Sequence, residues 1–280
     1  MAVLDTSSRR SLKLRERRAL DFIAHAKTAR VDQIGQLLAP DLAPAVDDEP
    51  RRRLKKGEPR PPAKQKGGKH SWPEGRHQRV AATLPFVNYW TEELGLVEKY
   101  RPYNDMPTWV MATEAGLRWL GLSYKPIDFP EDQLEHIYVI NEVRLFLLRS
   151  RKIPPHAWTS ERELDIMQPQ KTRGLELPHQ PDGIMTLETG GELSLGGQTI
   201  QLEGGERIAV EAERSRKNFE EIRKILPDLV ARYDRAWYFC TPGAYDAVGQ
   251  IRAEMDSAAR ERIHIWRLTP NWWDWKQEKE

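Results

Sequence analysis

Three carboxylates in this chain stand where they could share one divalent metal ion. Asp182 precedes a predicted strand over 184–187. Glu211 and Glu213 end a second predicted strand over 208–213. Because residues i and i+2 of a strand lie on the same side of a sheet, Glu211 and Glu213 can point at one ion. If the two strands pair, Asp182 joins them, and the group can hold a metal beside a phosphodiester.

The chemistry of such a group follows from its charge. Carboxylates held together repel one another, and without a metal at least one would keep its proton. Mg²⁺ or Mn²⁺ relieves the repulsion, orients a phosphate and lowers the pKa of its bound water. Lys217, near the start of the next predicted helix, could reach the same place. The predicted catalytic set is therefore Asp182, Glu211, Glu213 and Lys217.

Each of these motifs also has an ordinary structural interpretation. The Pro-Asp-Gly sequence around Asp182 is a common turn signature. Glu211 and Glu213 could face solvent on an edge strand and pair with Arg214 or Lys217. Other chemistries have less support, because the 7 histidines show no metal-site spacing and the single cysteine rules out a Cys-X-X-Cys pair.

The elements that must position the carboxylates alternate between helix and strand. A long apolar pattern over 131–149 predicts a helix. The order that follows is typical of a mixed sheet flanked by helices. The predicted strands are 157–161, 183–187, 206–213, 235–240 and 262–268, and the predicted helices are 215–233 and 245–258.

The N-terminal elements are predicted in the order of a winged helix-turn-helix. Three helices are followed by two strands and a short helix: 14–28, 31–38, 83–94, 96–101, 108–112 and 114–120. Thr83 is the predicted cap of the third helix, and Pro85 fits its first turn. An earlier start, near Arg76, is the alternative. The exposed positions of this helix are acidic, unlike a helix that reads bases, so phosphate contacts or a protein partner are alternatives to base reading.

Charge is distributed unevenly along the chain. Residues 1–80 carry 19 Lys and Arg against 10 Asp and Glu, whereas residues 81–280 carry 25 against 32. The segment 40–75, rich in proline, glycine and charge, is predicted to be a disordered insertion. It could be a solubilising loop or a flexible arm that contacts DNA phosphates. The predicted nucleic-acid-binding residues are Arg51, Arg52, Arg53, Lys55, Lys56, Arg76, Arg79, Lys99 and Arg101.

Length and composition indicate a globular protein of two domains. The 280 residues contain no apolar run long enough to cross a membrane and no signal-peptide pattern. A single cysteine excludes an intrachain disulfide and favours the cytoplasm. The predicted divisions are a domain over 1–123, a linker over 124–130, a second domain over 131–270 and a Trp-rich tail over 271–280.

The C-terminal half resembles the PD-(D/E)XK nuclease-like superfamily. The resemblance is carried by Pro181-Asp182 and by Glu211-Ala212-Glu213 within the predicted strand order. It implies that Asp182 and Glu211, with Glu142 from the first helix, would hold Mg²⁺ or Mn²⁺. The superfamily places a lysine where this chain has Glu213, which weakens the expectation of catalysis more than that of the fold.

The two halves together resemble the replication-relaxation family of bacterial plasmids and integrative elements. The matching pieces are the winged helix through Gly116, His136 with 141–144, 158–162, 181–183, and 210–213 with Lys217. The resemblance implies an α+β protein with an N-terminal winged helix-turn-helix and an α/β nuclease-like domain.

Two hypotheses follow from these features. The first is a DNA-binding protein of a mobile element that acts on double-stranded DNA in plasmid replication, relaxation or mobilisation, and that could nick DNA with a metal. The alternative is a non-enzymatic regulator or adaptor whose second domain forms a homodimer or docks another protein of the element. No membrane partner is expected under either hypothesis.

Overall fold

The computed structural model describes residues 11–38, 76–102, 107–150, 153–167, 178–195, 198–214 and 219–268. Within these ranges the chain is a mixed α+β protein, as its sequence predicts. No helix in the described ranges is long and apolar enough to span a membrane. The predicted insertion over 40–75 and the tail over 271–280 lie outside the described residues.

The N-terminal part contains four helices and a small antiparallel sheet. Its elements are α1 (Leu14–His25), β1 (Ala29–Arg30), α2 (Val31–Leu38), α3 (Arg76–Asn88), β2 (Val97–Tyr100), β3 (Trp109–Ala112) and α4 (Glu114–Leu120). The strand order is β1-β3-β2, with both pairs antiparallel. Apolar side chains of the helices and strands, including Ile23, Ile34 and Trp90, form one buried core. The predicted helices and the two predicted strands occur in the expected order, and the two-residue strand β1 between α1 and α2 is an addition to it.

The third helix begins earlier than the capping signal predicted. It starts at Arg76, so Pro85 lies inside it and not in its first turn. Thr83 is fully buried, and its hydroxyl donates to the carbonyl of Arg79 at 2.7 Å. A threonine that bonds the carbonyl one turn earlier is satisfied inside a helix, and it gives no start signal. A π-helical turn, Tyr89–Glu93, then prolongs α3.

The C-terminal part is built on a five-stranded sheet. Its elements are α5 (Leu134–Ser150), β4 (Trp158–Ser160), α6 (Glu161–Met167), β5 (Gly183–Thr186), β6 (Gly191–Leu195), β7 (Gln198–Leu202), β8 (Arg207–Glu213), α7 (Phe219–Arg232), β9 (Arg235–Cys240), α8 (Pro242–Glu254), α9 (Ser257–Glu261) and β10 (Ile263–Arg267). The sheet order is β10-β9-β8-β5-β4. β8, β9 and β10 are parallel, whereas β5 is antiparallel to both of its neighbours.

Helices cover both faces of this sheet. On one face α5 and the β6–β7 hairpin bury Val210 and Trp237, and on the other α7 and α8 bury Ala209 and Tyr238. Because side chains alternate between the two faces, sliding β8 by one residue would turn the carboxylates of Glu211 and Glu213 into the apolar core beneath α5. Burial therefore fixes the register of β8, and the predicted mixed sheet flanked by helices is confirmed.

The two parts pack against each other through α5. Leu145 of this helix belongs to the N-terminal core, while Val143 packs on the C-terminal sheet. Polar groups add to the contact, because the Gln33 side chain donates to the Tyr138 carbonyl at 3.0 Å and Asn141 donates to the Thr28 carbonyl at 3.0 Å. The predicted domain boundary at 124–130 stays a prediction.

Gly183→Ala should destabilise the protein, because a Cβ at Gly183 would lie 2.3 Å from the buried Trp158 ring. Overpacking of this kind costs typically about 1–3 kcal/mol in the free energy of unfolding, measurable by urea denaturation. Gly191→Ala is the matched control, since its Cβ would meet nothing within 4 Å. Equal stability of the two variants would contradict the predicted close approach.

Candidate functional site

Asp182 and Glu211 are neighbours across two paired strands. Gly183 of β5 pairs with Val210 of β8, and Asp182 and Glu211 are the next residue on each strand. β8 lies inside the sheet between β5 and β9, and Glu211 is only 4% exposed. The interpretation of Glu211 and Glu213 as solvent-facing residues of an edge strand is therefore wrong.

A third carboxylate and a buried tyrosine complete this group. Glu213 is buried like Glu211, and the two share the side of β8 opposite the side that faces α5. Tyr238 pairs with Glu211 in the sheet. Burial, and then Glu211, Cys240, Glu213 and Asp182, raise the pKa of the Tyr238 hydroxyl well above its ordinary value. The three predicted acids therefore act electrostatically on one buried place in the sheet.

Two histidines that were given no role from the sequence contact these carboxylates. His136 Nε2 lies 2.8 Å from one oxygen of Asp182, whose other oxygen accepts from the Ala212 backbone N–H at 2.7 Å. His179 Nε2 lies 2.8 Å from Glu211. The charge of Asp182 raises the pKa of His136 against the opposing effect of burial. The spacing of residues in the sequence does not predict these contacts, because His136 lies on α5 and His179 in the segment before β5, both far along the chain from the acids that they contact.

Glu142 does not join Asp182, which corrects the expectation carried by the superfamily resemblance. Its carboxylate accepts hydrogen bonds from Gln33 at 2.9 Å and from Gln36 at 3.1 Å, both on α2. Helical geometry explains the difference, since a position six residues from His136 faces another side of α5. Lys217 lies outside the described residues.

The donors suit a hard divalent cation in their chemistry. Mg²⁺ prefers carboxylate oxygens, and Mn²⁺ also accepts imidazole, so Asp182 and Glu211 with their histidine partners form a compatible set. They are not arranged as a closed metal cluster, because the described ranges hold no group of three His, Cys, Asp or Glu side chains placed to bind one ion. The acids are instead engaged by His136, by His179 and by a backbone amide.

The predicted nucleic-acid-binding residues fall into four groups. Five of them lie outside the described residues: Arg51, Arg52, Arg53, Lys55 and Lys56. Arg76 begins α3, whereas Arg79 is only 4% exposed, which does not favour its predicted role as a nucleic-acid contact. Lys99 contacts Asn88 at 2.9 Å and Glu92 at 3.1 Å, which offsets its charge. Arg101 is exposed at the end of β2.

Sequence reasoning missed a basic surface on the first helix. Lys13, Arg15, Arg17 and Arg18 are all exposed at the start of α1. Arg17 lies 5.3 Å from the ring of Trp119 on α4, which is itself 42% exposed. The signal was four basic residues within six positions, hidden by the apolar spacing that marks the same segment as a core helix. We call these four residues the α1 basic face.

Comparison with protein-family models finds no match, and comparisons with curated proteins and with solved structures find none either.

Asp182→Asn should lower the pKa of His136, because the Asp182 charge is the largest cause of its rise. In the wild type the ion pair adds stability that is fully present below about pH 6.5 and is lost as pH rises through the folded pKa of His136. The stability lost in Asp182→Asn should therefore be greater near pH 6 than near pH 9, by at most about 1 kcal/mol for a half-exposed pair. An NMR titration of His136 reads the pKa directly.

Glu188→Gln is the control for this titration, since Glu188 contacts a different histidine, His156, at 3.2 Å. It should leave the His136 titration unchanged. An unaltered His136 pKa in Asp182→Asn would mean that the two side chains are not paired in solution.

Proposed function

We propose that this chain is a DNA-binding protein of a mobile element, acting on double-stranded DNA in plasmid replication, relaxation or mobilisation, with a nuclease-like C-terminal part. The observation that carries the proposal is the adjacency of two acids: Asp182 directly precedes β5, and Glu211 lies in β8, the strand with which β5 pairs. Carboxylates buried close together in a sheet are candidates for a functional site, and metal-assisted phosphodiester chemistry is one reaction that such a pair supports.

The C-terminal part supports this proposal through its element order as well. Apart from α6, α9 and the β6–β7 hairpin, the order is a helix, three strands of the sheet, and then helices alternating with strands, which a PD-(D/E)XK-like fold would have. In a cleaving enzyme Asp182 and Glu211 would hold Mg²⁺ or Mn²⁺, which would polarise the scissile phosphate and supply a nucleophilic water. The Ala212 amide fixes Asp182 through one oxygen, and His136 orients it through the other.

The N-terminal part supports the DNA-binding half of the proposal. Three helices followed by an antiparallel β-pair and a short helix fit a winged helix-turn-helix. Arg79, on the helix that would read bases, is buried, and Lys99, a predicted phosphate contact, contacts Glu92. The α1 basic face is exposed instead and can contact phosphates, which fix a protein on DNA without reading its sequence.

A non-enzymatic regulator or adaptor is the second candidate, and specific observations favour it. Glu213, and not a lysine, stands two positions after Glu211. Asp182 and Glu211 each contact a histidine, and Glu142 contacts glutamines of α2. In this case the C-terminal part would mediate homodimer formation or docking of another protein of the element.

Asp182→Asn should abolish Mn²⁺-dependent nicking of supercoiled plasmid by the purified protein while leaving DNA binding intact. The change removes one ligand charge and keeps the side-chain shape, so cleavage should fall by at least about 10–100-fold, the loss caused even by changing an outer-shell partner of a metal ligand. Gel electrophoresis reads both nicking and mobility shift. Nicking that persists at the wild-type rate would refute this site, and a shift without any nicking in the wild type would favour the adaptor.

Replacing Arg15 and Arg18 by Glu should weaken duplex binding at every sequence tested. Each lost phosphate contact should lower the slope of log affinity against log salt by about 0.9. Fluorescence anisotropy over a salt series measures this slope. Lys224→Glu is the control, because it changes an exposed lysine of α7 in the other part. Unchanged binding, combined with loss of binding on deletion of 51–69, would assign the contact to the insertion.

A further inference from the structure

A cleft lies between the N-terminal and C-terminal parts, on the side of α5 that carries His136. Charged groups from both parts line it, together with apolar groups that close its floor. The charged lining consists of Lys27, Arg144, Arg162, Glu161 and Asp182, with His25 and His136 beside them. We call this the junction cleft. Three permanent cations and two carboxylates line the cleft, and two further carboxylates, Asp21 and Glu163, contact His25.

Arg144 is the least satisfied of these cations. It is only 4% exposed, and within the described part of the chain its Nε and Nη1 atoms have no hydrogen-bond partner. Its guanidinium lies between two aromatic rings, 4.7 Å from Phe22 and 6.0 Å from Trp158. Burial lowers the pKa of Arg144 to about 10, so the group remains charged at neutral pH.

Arg162, in the same cleft, differs from Arg144 because its guanidinium is hydrogen-bonded. Its two terminal nitrogens donate to the backbone carbonyls of Ala24 and Lys125. Aromatic rings can offset part of the cost of a buried cation, but they accept no conventional hydrogen bond. A buried guanidinium with unused donors is expected to meet an anion, and the planar donor set of arginine suits a phosphate or a carboxylate.

Lys27 adds a second cation to the junction cleft. Its Nζ lies 2.7 Å from Glu161, and its side chain is 19% exposed. It is the one non-glycine residue in the described ranges with a positive φ, at 65°. A lysine in this region is strained relative to glycine, which adopts it freely. The left-handed backbone carries the chain from α1 into the next strand and leaves the Lys27 ammonium in the cleft.

We propose that the junction cleft binds a phosphate group, with Arg144 and Lys27 as its cationic ligands. Asp182 lines the same cleft, so the phosphate would lie beside the candidate metal residue. The source of the phosphate could be a free anion or a nucleic-acid strand. The strand version rests on the proposed function, because it makes the cleft the place where the backbone is held next to Asp182. The N-terminal part then contributes a residue, Lys27, to the site of the C-terminal part.

The test is titration calorimetry of the full chain at constant ionic strength with inorganic phosphate and, separately, with a short single-stranded oligonucleotide. The variants are Lys27→Gly, which suits the positive φ while removing the cation, and Arg144→Met, which keeps much of the side-chain volume. Lys224→Ala is the control for loss of one positive charge at a distant exposed site. A urea denaturation of each variant in phosphate-free buffer shows whether it is folded.

The wild type and Lys224→Ala should bind phosphate with equal affinity, and each cleft variant should bind about tenfold or more weakly, the loss typical of one charge-assisted hydrogen bond. Arg144→Met should be at least as stable as the wild type without phosphate, because it removes a buried charge. Weakening with the oligonucleotide alone would identify the strand as the ligand. Equal affinity of all four proteins for both probes, or no binding by the wild type, would overturn the proposal.

Nicking of supercoiled plasmid by the same variants separates this proposal from the proposed function. If phosphate binding depends on Lys27 but the wild type does not nick DNA, the proposed phosphate site is supported and the proposed nuclease activity is refuted. The opposite result is nicking that requires Asp182, with phosphate and oligonucleotide affinities that are unchanged in the Lys27 and Arg144 variants. It would support the nuclease and overturn the cleft proposal.

Discussion

The burial of α5 between two cores is the constraint on which the rest of the structure depends. One side of this helix packs on the C-terminal sheet, and Leu145 enters the N-terminal core. Gln33 and Asn141 then satisfy polar groups across the contact, where an unmade hydrogen bond would cost about 1–3 kcal/mol. A helix held on both sides in this way has one rotation available, and that rotation decides where Glu142, Arg144 and His136 lie.

Charges at this contact are mostly compensated by a partner. Arg30 and Asp32 form a fully buried ion pair at 2.7 Å, and Lys27 contacts Glu161 at the same distance. Buried pairs add little net stability, but leaving one member alone is costly. The Lys27–Glu161 pair joins the two parts and so favours their observed arrangement, whereas Arg30 and Asp32 pair within the N-terminal part. Arg144 departs from this pattern, and the departure singles out the junction cleft among the polar regions of the contact.

The candidate acids show how one strand register can serve both a catalytic and a structural interpretation. Pairing of Gly183 with Val210 brings Asp182 and Glu211 together, which a nuclease needs. The same pairing lets His136, His179 and the Ala212 amide neutralise those acids, which a scaffold needs. The distinction lies in whether a metal can displace the histidines. That depends on whether the acids interact more favourably with a metal ion than with His136 and His179.

The sequence by itself determined most of the helices and strands, the mixed sheet and the shared side of Glu211 and Glu213, but not β1, α6, α9 or the start of α3. These properties follow from periodicity over a few residues, which the chain carries locally. Only the tertiary structure decided that Glu142 contacts α2, that Arg79 is buried, and that histidines contact the acids. Those contacts join segments far apart in the chain. Each residue of a helix is rotated by roughly 100° from the one before it, so the packing of the helix decides which neighbours its side chain meets.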